Sequence, residues 1–204
     1  PRRTGSGFCG VRSVSAQVYE SGRRLALGEP ATSVHWIGNE ALFTLADGSV
    51  RAASREGDVR TIKAHDGVIL SAAVHPDGKR LVTGGDDGRI NVVTPDGAVT
   101  NLAEVRKWVD HLAASAVTGV IVAAVGKDAI VFKGEVESHR FAYPSTIGGI
   151  ALDAKGRRLA ATHYNGATLR YVLTADDKGT PLKWAGSHLA CTISPDGDYV
   201  VTGM

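Results

Sequence analysis

The stretch Gly84-Gly85-Asp86-Asp87-Gly88 sets two adjacent carboxylates among glycines, a pattern that can hold a cation or cradle a phosphate. Calcium takes roughly six to eight oxygens, and this loop offers about three with no downstream Glu at the usual spacing. Gly5-Ser6-Gly7-Phe8-Cys9-Gly10 matches the dinucleotide pattern G-x-G-x-x-G. That pattern works only between a strand and the opening of a helix, and four residues are too few to supply the strand. The histidines at 35, 65, 75, 111, 139, 163 and 188 include no pair at metal-ligand spacing, and no C-x-x-C or G-x-S-x-G occurs. His188 and Cys191, read as one strand, stand at odd separation and face opposite ways. No catalytic, cofactor-binding or metal-binding set is expected.

Composition narrows the classes further. The 204 residues are 43% hydrophobic, enough for a real core, with a formal net charge of +2 spread along the chain. A nucleic-acid partner is therefore disfavoured. Gly is abundant at 25 residues and Met occurs once, a balance that favours tight turns over packed helices. Cys9 and Cys191 cannot make a disulfide framework, which fits a reducing compartment. No apolar run approaches the roughly 20 residues that span a bilayer, so a soluble, cytoplasmic chain is expected. Residues 1–20 are rich in Arg, Ser and Gly and read as a flexible tail; as the remnant of a transit segment they would instead imply an organelle interior.

The elements that must position any site are short. From Ala31 onward, Val-, Ile- and Thr-rich runs of five to eight residues alternate with Pro-Asp-Gly, Asp-Gly, Lys-Gly and Asn-Gly turns, the punctuation of strands and hairpins. "NLAEVRKWVDHLAAS" could be helical, but its neighbours favour strand, loop, strand. Turn glycines recur at Gly38, Gly78, Gly119, Gly156 and Gly197, spaced by 40, 41, 37 and 41 residues. A second series runs Asp47-Gly48, Asp87-Gly88, Lys127-Asp128 and Asn165-Gly166 with a similar period. Two phased series with one period are a repeat, and four short antiparallel strands per roughly 40 residues describe a propeller blade.

The segment "AHDGVILSAAVHPDGKRLVTGGDDGRINVV" resembles a WD repeat, with His65, the Pro76-Asp77-Gly78 turn, and then Leu-x-x-Gly-x-x-Asp-Gly before an apolar strand. "STIGGIALDAKGRRLAATHYNGATLRYVL" and "GSHLACTISPDGDYVVTGM" resemble it more loosely. Val93 stands where the family prefers Trp, and the His position becomes Tyr143 and Trp184 in later units. The resemblance covers about residues 31–204 and implies an all-β fold, a WD-repeat-like β-propeller. About four and a half four-stranded blades are present, at 31–63, 64–103, 104–143, 144–185 and, in part, 186–204, of a propeller that in this family typically has about seven. The domain thus runs over 21–204, and the chain reads as a fragment or as a chain completed by another. Ser21–Leu27 is a candidate outer strand for such completion.

The resemblance also assigns roles. His65 and Asp87 become hydrogen-bonded partners, with Thr83, and Gly88 takes a positive φ; Asp86 stays an exposed turn acid. Inter-blade loops and the turns between second and third strands share one face, which collects Asp66, Asp86, Arg106, Lys107, Trp108, Lys127, Asp128, Tyr143, His163, Tyr164 and Trp184. Trp, Tyr and Arg are interface-anchoring types. Tyr143 and Trp184, standing where the structural His belongs, are expected to pack inward. The implied function is a non-catalytic scaffold for a protein or peptide partner. The alternative is an enzyme or small-ligand binder using the central channel, with Asp66, Asp128 and His163 as its candidates.

Overall fold

The computed structural model describes residue 22 and residues 24–204, which form seventeen strands and no helix. The first sheet joins β1 (Ala31–Ile37), β2 (Glu40–Leu45), β3 (Ser49–Ala53) and β4 (Val59–Lys63) in chain order. The second repeats this with β5 (Ile69–Val74), β6 (Leu81–Gly85), β7 (Arg89–Val93) and β8 (Val99–Glu104), and the third with β9 (His111–Ser115), β10 (Val120–Val125), β11 (Asp128–Lys133) and β12 (Val136–Ala142). Residues 105–110 form the expected loop between β8 and β9.

The fourth sheet contains β13 (Gly149–Leu152), β14 (Arg158–Tyr171) and β15 (Thr180–Ser187). The long β14 is itself a hairpin. Asn165 and Gly166 both take positive φ, 66° and 136°, where the chain reverses, and the Val172 N–H donates to Arg157 O (2.9 Å) across its base. Folded in this way, β14 supplies both central strands of a fourth blade. The fifth sheet is a pair, β16 (Ala190–Ile193) and β17 (Val200–Gly203).

First strands neighbour one another in order: β1 touches β5, β5 touches β9, β9 touches β13 and β13 touches β16. The sheets thus pack face to face around a common axis. Each of the three buried clusters is shared by two adjacent sheets. Leu42, Val50 and Ile62 meet Ile69, Leu81 and Val93; Val82 and Ile90 meet Ile121 and Phe132; Val120 and Val131 meet Leu159 and Val172. Central strands are therefore covered on both faces and carry unbroken apolar runs: "LVTGG" in β6 and "VIVAAV" in β10 are buried throughout. Outer strands such as β8 and β15 are mostly exposed.

Three readings of the sequence need correction. Arg24–Leu27 join no strand, while residues 1–20, Ser21 and Arg23 lie outside the described residues. His188 does not share a strand with Cys191, because β16 begins at Ala190. And β15 continues to Ser187, so Trp184 is a strand residue, 70% exposed, not a residue packed inward.

Candidate functional site: the loop face of the blades

The loops between blades lie against the turns between second and third strands. Ala64 and His65 N–H groups donate to Gly48 O, Val105 N–H to Gly88 O (2.8 Å), and Tyr143 N–H to Lys127 O (2.9 Å). One face therefore holds both sets.

In blade two this face is anchored by a buried relay. His65 Nδ1 lies 2.9 Å from Asp87 Oδ1 and Nε2 lies 2.9 Å from Thr83 Oγ1. A carboxylate only accepts, so Nδ1 carries the proton and donates it to Asp87. Asp87 also accepts from the N–H groups of Asp66 (3.1 Å) and Arg89 (3.0 Å). Burial raises its pKa, but these donors and the His65 ring outweigh it, and the carboxyl is held below its ordinary value. The connectivity hydroxyl, imidazole, carboxylate is that of a nucleophilic relay, yet Thr83 is fully buried and cannot meet a substrate. The relay's bonds tie the loop before β5 to the turn between β6 and β7. Gly85 makes room for it, since a Cβ there would collide with His65 Nδ1 and Asp87 Oδ1; Gly88, at φ 78°, would drive a Cβ into Val105 O.

Blade five builds a similar contact from a different position. His188 Nδ1 lies 2.9 Å from Thr202 Oγ1, with Nε2 donating to Trp184 O (3.1 Å). Because β15 holds Trp184 in its outer edge, the first residue after that strand supplies the imidazole instead. Tyr143, by contrast, is buried with 4% of its surface exposed, its ring beneath the Arg170 guanidinium at 5.3 Å. Burial pushes its phenol up to about 12.

The remaining candidates separate. Asp86, Arg106, Lys107 and Trp108 come together with Asp110 around a cavity of about 400 Å³. Asp86 is half-buried, not exposed, because its carboxylate lies over the bare Cα of Gly67. Trp108, 62% exposed, also walls a second cavity of about 760 Å³ with His163, Tyr164, Asp110 and His111. Tyr164, 60% exposed, continues into a groove of about 750 Å³ with Pro181, Leu182 and Trp184. His163 is 7% exposed and tied at both ring nitrogens, to Tyr164 O and Thr168 Oγ1. Asp66 stands apart, paired with Arg89 (2.8 Å), and neither Lys127 nor Asp128 lines these three spaces.

Sequence reasoning missed Leu70, Asp110, His111 and Leu189. The signal was present: Leu70, His111, Gly148 and Leu189 each stand eight residues before the turn glycine of their blade, and all four line the second cavity. Among the described residues no group of three or more His, Cys, Asp or Glu side chains could hold a metal ion, and no helix is long and apolar enough to cross a membrane.

The family model described as "WD domain, G-beta repeat" matches residues 57–93, the span that ends blade one and contains the relay residues His65, Thr83 and Asp87. The chain has a β-propeller fold, and residues 57–93 within it are similar to a WD repeat. Among solved structures, a chain in "Crystal Structure of Mitotic Checkpoint Complex" superposes with a TM-score of 0.71 at 13% identity, covering 85% of this chain and 60% of that chain. The likeness at that identity is one of fold. No curated protein matches this sequence.

Proposed function

We propose that this propeller is a non-catalytic scaffold that presents its loop face to a protein or peptide partner. The observation that carries the reading is Trp108: an indole 62% exposed on the rim between two cavities, beside Arg106 and Lys107 and across the second cavity from exposed Tyr164. Exposed aromatic and Arg side chains around concave surfaces are the usual anchors of interfaces. Propellers of this repeat family generally serve protein–protein interaction, which supports the same reading. The test is affinity capture from native extract with the chain and with a variant in which Trp108 and Tyr164 are both Ala. Folding should be spared and partner capture weakened; unchanged capture counts against this face.

We also infer that further β-structure covers the two end sheets. Trp36 (67% exposed) and Val34 (53%) at β1, and Tyr199 (69%) and Val201 (59%) at the fifth sheet, are large apolar groups in water. A neighbouring sheet, from a longer polypeptide or a second chain, would bury them as the inner sheets are buried. Light scattering tests this: a stable, compact monomer of this chain alone would sink it.

A further inference from the structure

The second cavity has a charge inventory unlike the rest of the loop face. Its rim is set by the repeat itself, since Leu70, His111, Gly148 and Leu189 occupy one position in four consecutive blades. Its lining mixes apolar and aromatic side chains with three imidazoles and the hydroxyl residues Ser145, Thr146 and Ser187; Asp110 is the one acidic side chain lining it, and no Lys or Arg does. Asp110 is half-buried and fixed by its own N–H, which donates to Ala124 O (3.1 Å). Its carboxylate has no bonded partner among the described residues. His163 and His188 are tied at both nitrogens to other partners, and burial pushes His111 below its ordinary value although Asp110 pulls the other way. Asp110 and Trp108 border both cavities; the cations Arg106 and Lys107 line the first and not the second, and neither is paired with the Asp110 carboxylate among the described residues.

A half-buried carboxylate between aromatic walls discriminates sharply among occupants. An apolar side chain would strip its water and return nothing, and an anion would repel it. A Lys or Arg side chain suits this wall, its aliphatic stem along Leu70 and Leu189 and its charge against Asp110 beside the indole and the phenol. We propose that this cavity receives the cationic side chain of a peptide partner, with Asp110 as the recognising charge and Trp108 and Tyr164 as its aromatic walls. This rests on the scaffold reading above and names the chemistry of its partner.

The experiment uses the full chain and three fluorophore-labelled pentapeptides, Ala-Leu-Lys-Leu-Ala and its counterparts with norleucine or Glu at the centre, followed by anisotropy. The Lys peptide should bind about tenfold more tightly than the norleucine peptide, the Glu peptide should bind weakest, and the preference should shrink as salt rises. Asp110→Asn, at an unchanged melting temperature, should bring the Lys and norleucine peptides within about twofold of each other. Equal binding of those two by the native chain, no binding of any of the three, or a preference that survives Asp110→Asn overturns the proposal. Partner capture still lost in the Trp108 and Tyr164 double variant would then leave the scaffold reading standing; capture unchanged there removes both.

Discussion

Blades two and five run the same sequence skeleton through different surroundings. Pro76-Asp77-Gly78 leads into Leu81-Val82-Thr83-Gly84, and Pro195-Asp196-Gly197 leads into Val200-Val201-Thr202-Gly203. Both place a Thr hydroxyl 2.9 Å from an imidazole nitrogen. Yet β6 is buried along its whole length, while β17 alternates between half-buried and exposed. Blade two has a sheet against each face, whereas the buried clusters include no residue of the fifth sheet, whose β16 leans on β13 and β14. What a strand residue is worth in this fold depends less on its own type than on whether a next blade covers it.

The largest expected effect breaks the better-bonded side of the comparison. Asp87→Ala leaves the His65 Nδ1–H and the N–H groups of Asp66 and Arg89 without their acceptor, at a cost of about 2–4 kcal/mol. For a chain of this size that lowers Tm by roughly 5–12 °C. His188→Ala in blade five removes a contact to one hydroxyl and one carbonyl, with about half that cost. Thermal melts of the two variants decide it: equal losses would mean that the carboxylate adds nothing to the relay.

Next comes a pair at one repeat position. Val82 is fully buried against Ile121 and Phe132 of the following blade, so Val82→Ala costs about 1–3 kcal/mol in denaturant unfolding. Val201, its counterpart, is 59% exposed, and Val201→Ala falls within about 0.5 kcal/mol. If the assembled protein covers the fifth sheet, the second cost rises toward the first in the assembled state, and the pair of variants then measures that coverage directly.

This contrast also explains what could be read in advance. Period and punctuation are local: the turn glycines at a pitch near 40 and the Val-, Ile- and Thr-rich runs announce the sheets, and His65, Thr83 and Asp87 sit at positions the repeat specifies. The cavity residues do not announce themselves, because lining a shared mouth is a relation between blades. Leu70, His111, Gly148 and Leu189 look like four unrelated residues until the repeats are stacked. Trp184 misled for a similar reason. Its place in the repeat is that of His65, but β15 runs on to Ser187 and hands the role to His188, a shift of four residues set by strand length and not by residue type. Asp86 was half legible: its turn was plain from Asp-Gly, its seat over Gly67 was not.

Acid separates the two Pro-Asp-Gly turns. Burial raises the Asp77 carboxyl, but the Lys79 N–H, the Arg80 guanidinium and the His75 ring pull it down to about 2. Arg80 also reaches Glu135 (2.5 Å), tying this turn to the blade that follows. A carboxyl depressed in the folded state stabilises above its unfolded value and loses that stabilisation as it takes up a proton. The contribution of Asp77 is therefore complete above pH ~4 and fades as pH falls toward about 2. Asp196 is also lowered, first by the Ser194 hydroxyl and then by the Asp198 N–H, but it is fully exposed and has no ion-pair partner in the fifth sheet. Asp77→Asn should flatten the acid limb of a pH–Tm profile, and Asp196→Asn should leave it nearly unchanged. Matching profiles would show that the ion pairs with Arg80 add nothing beyond the turn's own hydrogen bonds.

The smallest expected effect on stability lies on the loop face, and its smallness is the point. Trp108 is 62% exposed and walls two cavities without belonging to any of the three buried clusters, so Trp108→Ala should change unfolding free energy by no more than about 0.5 kcal/mol. Its neighbour in sequence, Val109, is fully buried against Val82 and Ile90, and Val109→Ala should cost about 1–3 kcal/mol. One residue holds the loop to the blade and the next faces outward. An indole that large, kept in water by a loop whose adjacent residue is anchored, has no role in folding, and denaturant melts of the two variants put that separation to a number. A destabilisation by Trp108→Ala comparable to that of Val109→Ala would make the indole part of the packing and remove the main support for this face as a binding surface.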